Sequence, residues 1–455
     1  MRKKQTSMLE GPLFSGIISY TIPIMLTSVL QLLFNAADLV IVGQFRGPDA
    51  VAAVGATGAL TNLIVNLFIG LSVGAGVTVA HGLGGRQNTS VHRTVHTSLL
   101  LALVGGVILT AVGVLFSGTF LEMMGTDKDV LPLSTLYMQI YFGGITFTMV
   151  YNFCASILRA AGDTKSPLLF LLIAGVPNVV FNVIFVTLFN MSVDGVALAT
   201  IISQAISAVL VMIALMRRTD ACKLELKKLR FYGKQLKKIV SIGLPAGIQG
   251  SLFSISNVII QSSVNSFGKV AMAGHAAAGN LDGFVYVLQN AFMQTTVNYI
   301  GQNAGAHQFD RIKKIFRTCL LMVTVTGIVS GGLMFLFGRP LLGIYLPDAQ
   351  DAIDYGMIRL AWLGLPYFLC GLMEITTGGL RALGSSLTPM IISVLGVCGL
   401  RIVWIYTVFT IPQYHSLECL YFSYTISWIF TTVAQYIAFT NVYKKKKQKY
   451  LLYHQ

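Results

Sequence analysis

No Asp, Glu, Lys or Arg occurs in residues 11–37, 50–85, 94–121, 130–158, 166–193, 195–216, 239–268, 318–338 or 419–443. Each run meets the roughly 20 apolar residues that a helix needs to cross a bilayer. Within lipid every backbone polar group must be paired, so only helices or closed barrels span, and barrel strands are far shorter, about 10 residues. Three more candidates, 270–304, 355–379 and 388–411, carry one or two charges each. The expectation is an all-α polytopic membrane protein of twelve transmembrane helices. A soluble domain carries about 25% charged residues; this chain carries 11%.

The chain also repeats itself. Leu158-Arg159-Ala160-Ala161-Gly162-Asp163-Thr164-Lys165-Ser166-Pro167 returns as Leu380-Arg381-Ala382-Leu383-Gly384-Ser385-Ser386-Leu387-Thr388-Pro389, an offset of 222. The same offset carries Pro23 onto Pro245 and Phe45 onto Phe267, while Gly82 meets Gly301 at 219. Two six-helix lobes related by this repeat are expected: 1–216, a basic linker 217–238, a second lobe 239–443 and a basic tail 444–455. In transporters, substrate sites lie at such repeat interfaces near the bilayer midplane.

A net charge of +15 suggests nucleic acid in a soluble protein, but its distribution here gives another reason. With both termini placed in the cytoplasm, the inner segments collect 26 of the 32 Lys and Arg, from Arg2, Lys3 and Lys4 to the Lys444–Lys449 tail. The outer loops hold acids, as in Asp127-Lys128-Asp129 and Asp348 to Asp354. That asymmetry is the positive-inside rule. It implies a multi-pass cell-membrane protein (plasma or inner membrane) with lipid as its surroundings and no nucleic-acid partner. The linker is expected to lie along the inner leaflet surface. The first apolar run is too long for a signal peptide and reads as a retained helix. The six cysteines have no paired spacing and read as small buried hydrophobes.

Charge inside a membrane is costly, so each case is a functional candidate. Four fall clearly within spans: Asp38, Asp282, Glu374 and Arg401. Gln31, Asn35 and Asp38 share one helix face by their i, i+4, i+7 spacing. Asn178 and Asn182 follow Pro177 in the fifth span, Thr200 lies in the sixth, and Asn152 lies near the end of the fourth. Carboxylate and amide oxygens there suit Na⁺, or Asp38 alone suits H⁺. The plainer alternative is that these groups only bond neighbouring helices. In the second half Ile260 replaces Asp38, which places the ion-binding pattern in the first half. His275, Asp282, Glu374 and Arg401 are candidates for a substrate cleft, with a Glu374–Arg401 ion pair as the structural alternative. No cofactor and no metal beyond Na⁺ at Asp38 is expected. The chain has no P-loop, HExxH or GxSxG, so it is not expected to be an enzyme or to draw on ATP.

At these residues the chain resembles the multidrug and toxic compound extrusion (MATE) transporters. Gln31-Leu32-Leu33-Phe34-Asn35-Ala36-Ala37-Asp38-Leu39-Val40-Ile41-Val42-Gly43 is similar to their first-helix signature. Val51-Ala52-Ala53-Val54-Gly55, the Leu158–Pro167 box, Asn178…Asn182, Gly195–Thr200 and the Leu380–Pro389 box fit as well. The resemblance implies alternating access and export of cationic or amphipathic drugs in exchange for H⁺ or Na⁺. It assigns coupling to Asp38, Asn178 and Thr200, with Gln31 and Asn152 nearby. The chain departs at Asn182, where many such members carry a second Asp. The helix-seven acid of another branch is absent, Phe253 and Ser254 standing around its place. The expected function is a monomeric secondary antiporter of drug-like molecules. The alternatives are a flippase for a lipid-linked precursor and a passive channel or scaffold.

Overall fold

The computed structural model describes residues 8–347 and 349–454. Arg2, Lys3, Lys4 and Asp348 lie outside the described residues. Each expected span falls on one helical rod, straight or broken. The first half comprises α1 (Leu13–Arg46), α2 (Pro48–Gly84), α3 (Asn88–Met123), α4 (Leu131–Gly143), α5 (Ile145–Ala160), α6 (Lys165–Val183) and α7 (Val193–Met216). Then come α8 (Gly233–Asn265), α9 (Lys269–Gly305), α10 (Phe309–Leu336), α11 (Gly338–Tyr345), α12 (Gln350–Arg359), α13 (Phe368–Ala382), α14 (Leu387–Ser393), α15 (Leu400–Tyr406) and α16 (Leu417–His454).

The breaks have local causes. α4 and α5 form one expected span bent by 48° at Gly144. α12 and α13 are joined by widened and tightened turns across Leu360–Tyr367, which contain Pro366. Proline removes one hydrogen bond of the helical ladder and clashes with the preceding turn. By length and apolarity alone, nine helices of the described residues qualify as spans, or ten with the bent pair. The two remaining rods are α9, which carries a buried polar stripe, and α16, which runs into the lysine tail.

Two compact units emerge, and they do not follow chain order. One holds Ile22–Gly247; the other joins Met8–Thr21 to Ile248–Gln455. The changeovers fall within two residues of the repeat-related Pro23 and Pro245, both inside helices.

In the first unit Leu99, Phe142, Phe153 and Ile157 form a closed core between α3, α4 and α5. α2 meets α8 backbone to backbone: a Cβ on Gly74 would lie 2.3 Å from the Ile239 carbonyl oxygen. Small residues permit such close helix approach in membranes. The linker does more than lie on a surface. Cys222 and Leu224 are buried in the same core, and the Glu225 N–H donates to His96 Nε2 at 3.0 Å. In the second unit Met373, Leu420, Tyr421 and Trp428 pack α13 against α16. All six cysteines are free, and five are buried.

Candidate functional site

α1 brings Asp38 to the level at which α6 and α7 present their polar side chains. Asn178 and Asn182 stand one turn apart on α6, past Pro177, and both are buried. Asn182 Nδ2 donates to Asp38 Oδ1 at 2.5 Å and faces Asn178 Oδ1 at 3.4 Å. Thr200 Oγ1, on α7, reaches Asp38 Oδ2 at 3.3 Å and its own helix carbonyl at Val196 at 3.0 Å. Gly175 lets α6 come this close, since a Cβ there would meet the Phe34 ring at 2.0 Å.

The pocket therefore holds one carboxylate, two amides and a hydroxyl from three helices. No Lys or Arg among the described residues pairs with Asp38. Asn182 Oδ1 is buried without a partner. An all-oxygen donor set with a single negative charge suits a hard monovalent cation or a proton. The described residues hold no cluster of three or more His, Cys, Asp or Glu.

The second unit carries its own polar cluster. Arg359 of α12 donates through Nε to Asp282 Oδ2 at 2.8 Å and through Nη1 to His275 Nε2 at 2.6 Å. His275 Nδ1 then pairs with the Tyr421 hydroxyl at 2.9 Å. His275, Asp282 and Gln289 lie at heptad spacing on α9, and all are buried. Arg401 stands elsewhere, its guanidinium 3.8 Å from the Tyr424 ring centre and bonded to Ser427 Oγ at 3.0 Å. Glu374 is buried and forms no salt bridge with Arg401 or any other described cation.

A family model described as MatE matches residues 23–184 and 245–407, one copy per half of the repeat. The chain belongs to the MatE family. It is similar to "Probable multidrug resistance protein YoeA" of Bacillus subtilis, 27% identical over 94% of each chain. It is also similar to "Probable multidrug resistance protein NorM" of Thermotoga maritima, 24% identical over 85% of this chain and 83% of that one. Its fold matches a solved MOP superfamily transporter from Pyrococcus furiosus at a TM-score of 0.92, with 20% identity over 98% of this chain and 99% of that one. Members of the MatE family are transporters, and this one is a multi-pass membrane protein rather than an enzyme.

Of the six coupling residues expected in this MatE chain, the structure brings four together: Asp38, Asn178, Asn182 and Thr200. Gln31 is half-buried and its side chain bonds to no described residue, and Asn152 Nδ2 donates to the Thr148 carbonyl of its own helix at 2.9 Å. The Glu374–Arg401 pair does not form, because Arg401 turns to the aromatic face of α16. Asp282 and His275 do meet, through Arg359. Sequence reasoning left Arg359 unassigned because it stands at the edge of an apolar run, near Asp351 and Asp354. It also missed Tyr137 of α4, which packs against the cluster of Ile41, Val42 and Val186.

Proposed function

We propose that this protein exports cationic or amphipathic drug-like molecules across the cell membrane in exchange for H⁺ or Na⁺, by alternating access, with Asp38 as the coupling group. The observation that carries this reading is a buried carboxylate held, among the described residues, by an amide and a hydroxyl from two other helices. The multidrug names of the relatives support the substrate class.

The mechanism runs through the amides. While Asp38 is ionised, the Asn182 N–H₂ group is its natural partner. Once a proton or Na⁺ neutralises the carboxylate, the amide gains by turning its unpartnered oxygen toward the new cation or hydroxyl proton. That exchange alters how α1, α6 and α7 hold one another. A ligand shifts a conformational equilibrium only through different affinities for the two states. Drug and coupling ion are therefore expected to favour opposite states. Glu374, an acid of the second half without an ion pair, is assigned to recognition of the cationic drug. Asp282, His275 and Arg401 are engaged elsewhere and hold that surrounding structure. Both termini face the cytoplasm, and the protomer works as a monomer.

The test is dye efflux from proteoliposomes with pH and Na⁺ gradients imposed separately. Efflux driven by one gradient and lost in Asp38→Asn supports the assignment. Equal efflux from both proteins removes Asp38 from the mechanism.

A further inference from the structure

At one end of the first unit, the turn from α2 to α3 and the first turns of α8 enclose a cavity of about 530 Å³ that the coupling pocket does not use. Arg86, Arg93, Lys234 and Lys238 line it, and none of its lining residues is an acid. The Arg86 and Lys234 side chains form no hydrogen bond or ion pair with any described residue. Arg93 lies 5.3 Å from the Tyr232 ring centre. An anion seated in this cavity would be attracted by all four charges.

Two further observations point to that anion. The first turn of α3, a 36-residue helix, forms part of the wall. Gln87 at its N-cap makes no side-chain capping bond, so the first N–H groups stay open. Such an end is a ready-made phosphate seat. Gln235 also lines the cavity, is only 7% exposed, and has no hydrogen-bond partner among the described residues. Its amide opens to the cavity and is available to a ligand's oxygens.

The repeat supplies an internal comparison. Arg86 and His307 are equivalent positions, both in the left-handed region at φ 53° and 56°, and Gln87 and Gln308 each precede the next helix. In the second unit this place is filled by the chain itself. Arg311 Nε and Nη2 donate to the carbonyls of Met8 and Gly11 at 3.3 and 3.1 Å, and Asn303 Nδ2 donates to Met8 at 3.1 Å. Among the described residues of the first unit, no backbone oxygen accepts from the Arg86 side chain.

We propose that this basic cavity binds a phosphate group, from an anionic phospholipid headgroup or from a soluble organophosphate. Basic pockets among helix ends on the cytoplasmic side are the usual seat of anionic headgroups, and arginine favours phosphate oxygens in particular. An occupant would join the α2–α3 turn to the first turn of α8. The inference is independent of the coupling mechanism.

Purified full-length protein in detergent tests it by native mass spectrometry after incubation with phosphatidylglycerol or phosphatidylcholine. Thermal melts with inorganic phosphate or ATP form the second arm. The variant is Arg86→Gln with Lys234→Gln; the charge-matched control is Lys227→Gln with Lys445→Gln. All four positions are exposed, so each protein is expected to melt near wild type without ligand. If the occupant is lipid, wild type and control retain phosphatidylglycerol over phosphatidylcholine, and the variant retains at least ten-fold less. If it is soluble, phosphate or ATP raises the melting temperature of wild type and control but not of the variant. A variant that behaves as the control does in both arms, or a wild type that responds in neither, overturns the proposal.

Discussion

At the scale of single residues, Asp38 is held unequally by its two partners. The Asn182 bond is short at 2.5 Å, whereas Thr200 reaches the other oxygen at 3.3 Å while also bonding Val196. Leaving a buried polar group without its partner costs about 1–3 kcal/mol. Asn182→Leu is therefore expected to cut gradient-driven efflux at least ten-fold, and Thr200→Val by only a few-fold; initial rates in proteoliposomes compare them. Asn182→Asp places a second carboxylate beside the first, and like charges this close do not both stay ionised without a cation. Efflux by that variant is expected to gain Na⁺ dependence, read as its rate against Na⁺ concentration at fixed pH. Much of this pocket was legible in the sequence, because polar residues one turn apart in charge-free runs are rare enough to stand out. Gln31 was assigned by helical face, Asn152 by its place near the end of the fourth span, and both by the resemblance, none of which says at what depth a neighbouring helix closes in. Only Asp38 of its stripe lies where α6 presents two amides.

Among elements, the close approach of α6 to α1 rests on a missing side chain. A Cβ at Gly175 would overlap the Phe34 ring, and overpacking of this kind costs about 1–3 kcal/mol. Gly175→Ala should lower both the melting temperature and export while Asp38 stays intact, and Phe34→Ala added to it should restore part of each. α9 and α12 are joined differently, through the buried Asp282–Arg359 pair. Removing one member of such a pair costs about 3–5 kcal/mol, while replacing both can be nearly neutral. Arg359→Met alone should destabilise strongly, and Arg359→Met with Asp282→Asn should melt closer to wild type. A double variant that melts lower still would show that the pair is not the unit of stability. The charge-free runs made most rods legible, whereas α9 and α16 were less apolar for identifiable reasons. α9 buries His275 and Asp282 against α12 and α16, and Gln289 against α10 and α13, and the sequence does not show which helices supply those partners. The bend at Gly144 was also invisible, since a glycine in a membrane helix reads equally well as close packing.

For the whole molecule, the twofold repeat and the charge asymmetry carry the account. The repeat marked Pro23 and Pro245 as equivalent, and the compact units change over beside both. What the repeat did not announce is that the first part of α1 joins the second unit, since that depends on bonds such as Asn303 to Met8. The proposed orientation, with both termini in the cytoplasm, rests on the 26 cations that it assigns to the inner side. A cysteine at the exposed Lys445, introduced by Lys445→Cys, should react with an impermeant thiol reagent only in inside-out vesicles. The most direct test of the central claim is ion release on drug binding. A drug is added to purified protein in weakly buffered detergent solution, and the liberated H⁺ or Na⁺ is recorded with an indicator or electrode. Wild type is expected to release the ion as drug binds, and Asp38→Asn to bind drug while releasing none. Equal release from both proteins would contradict the assignment of coupling to Asp38.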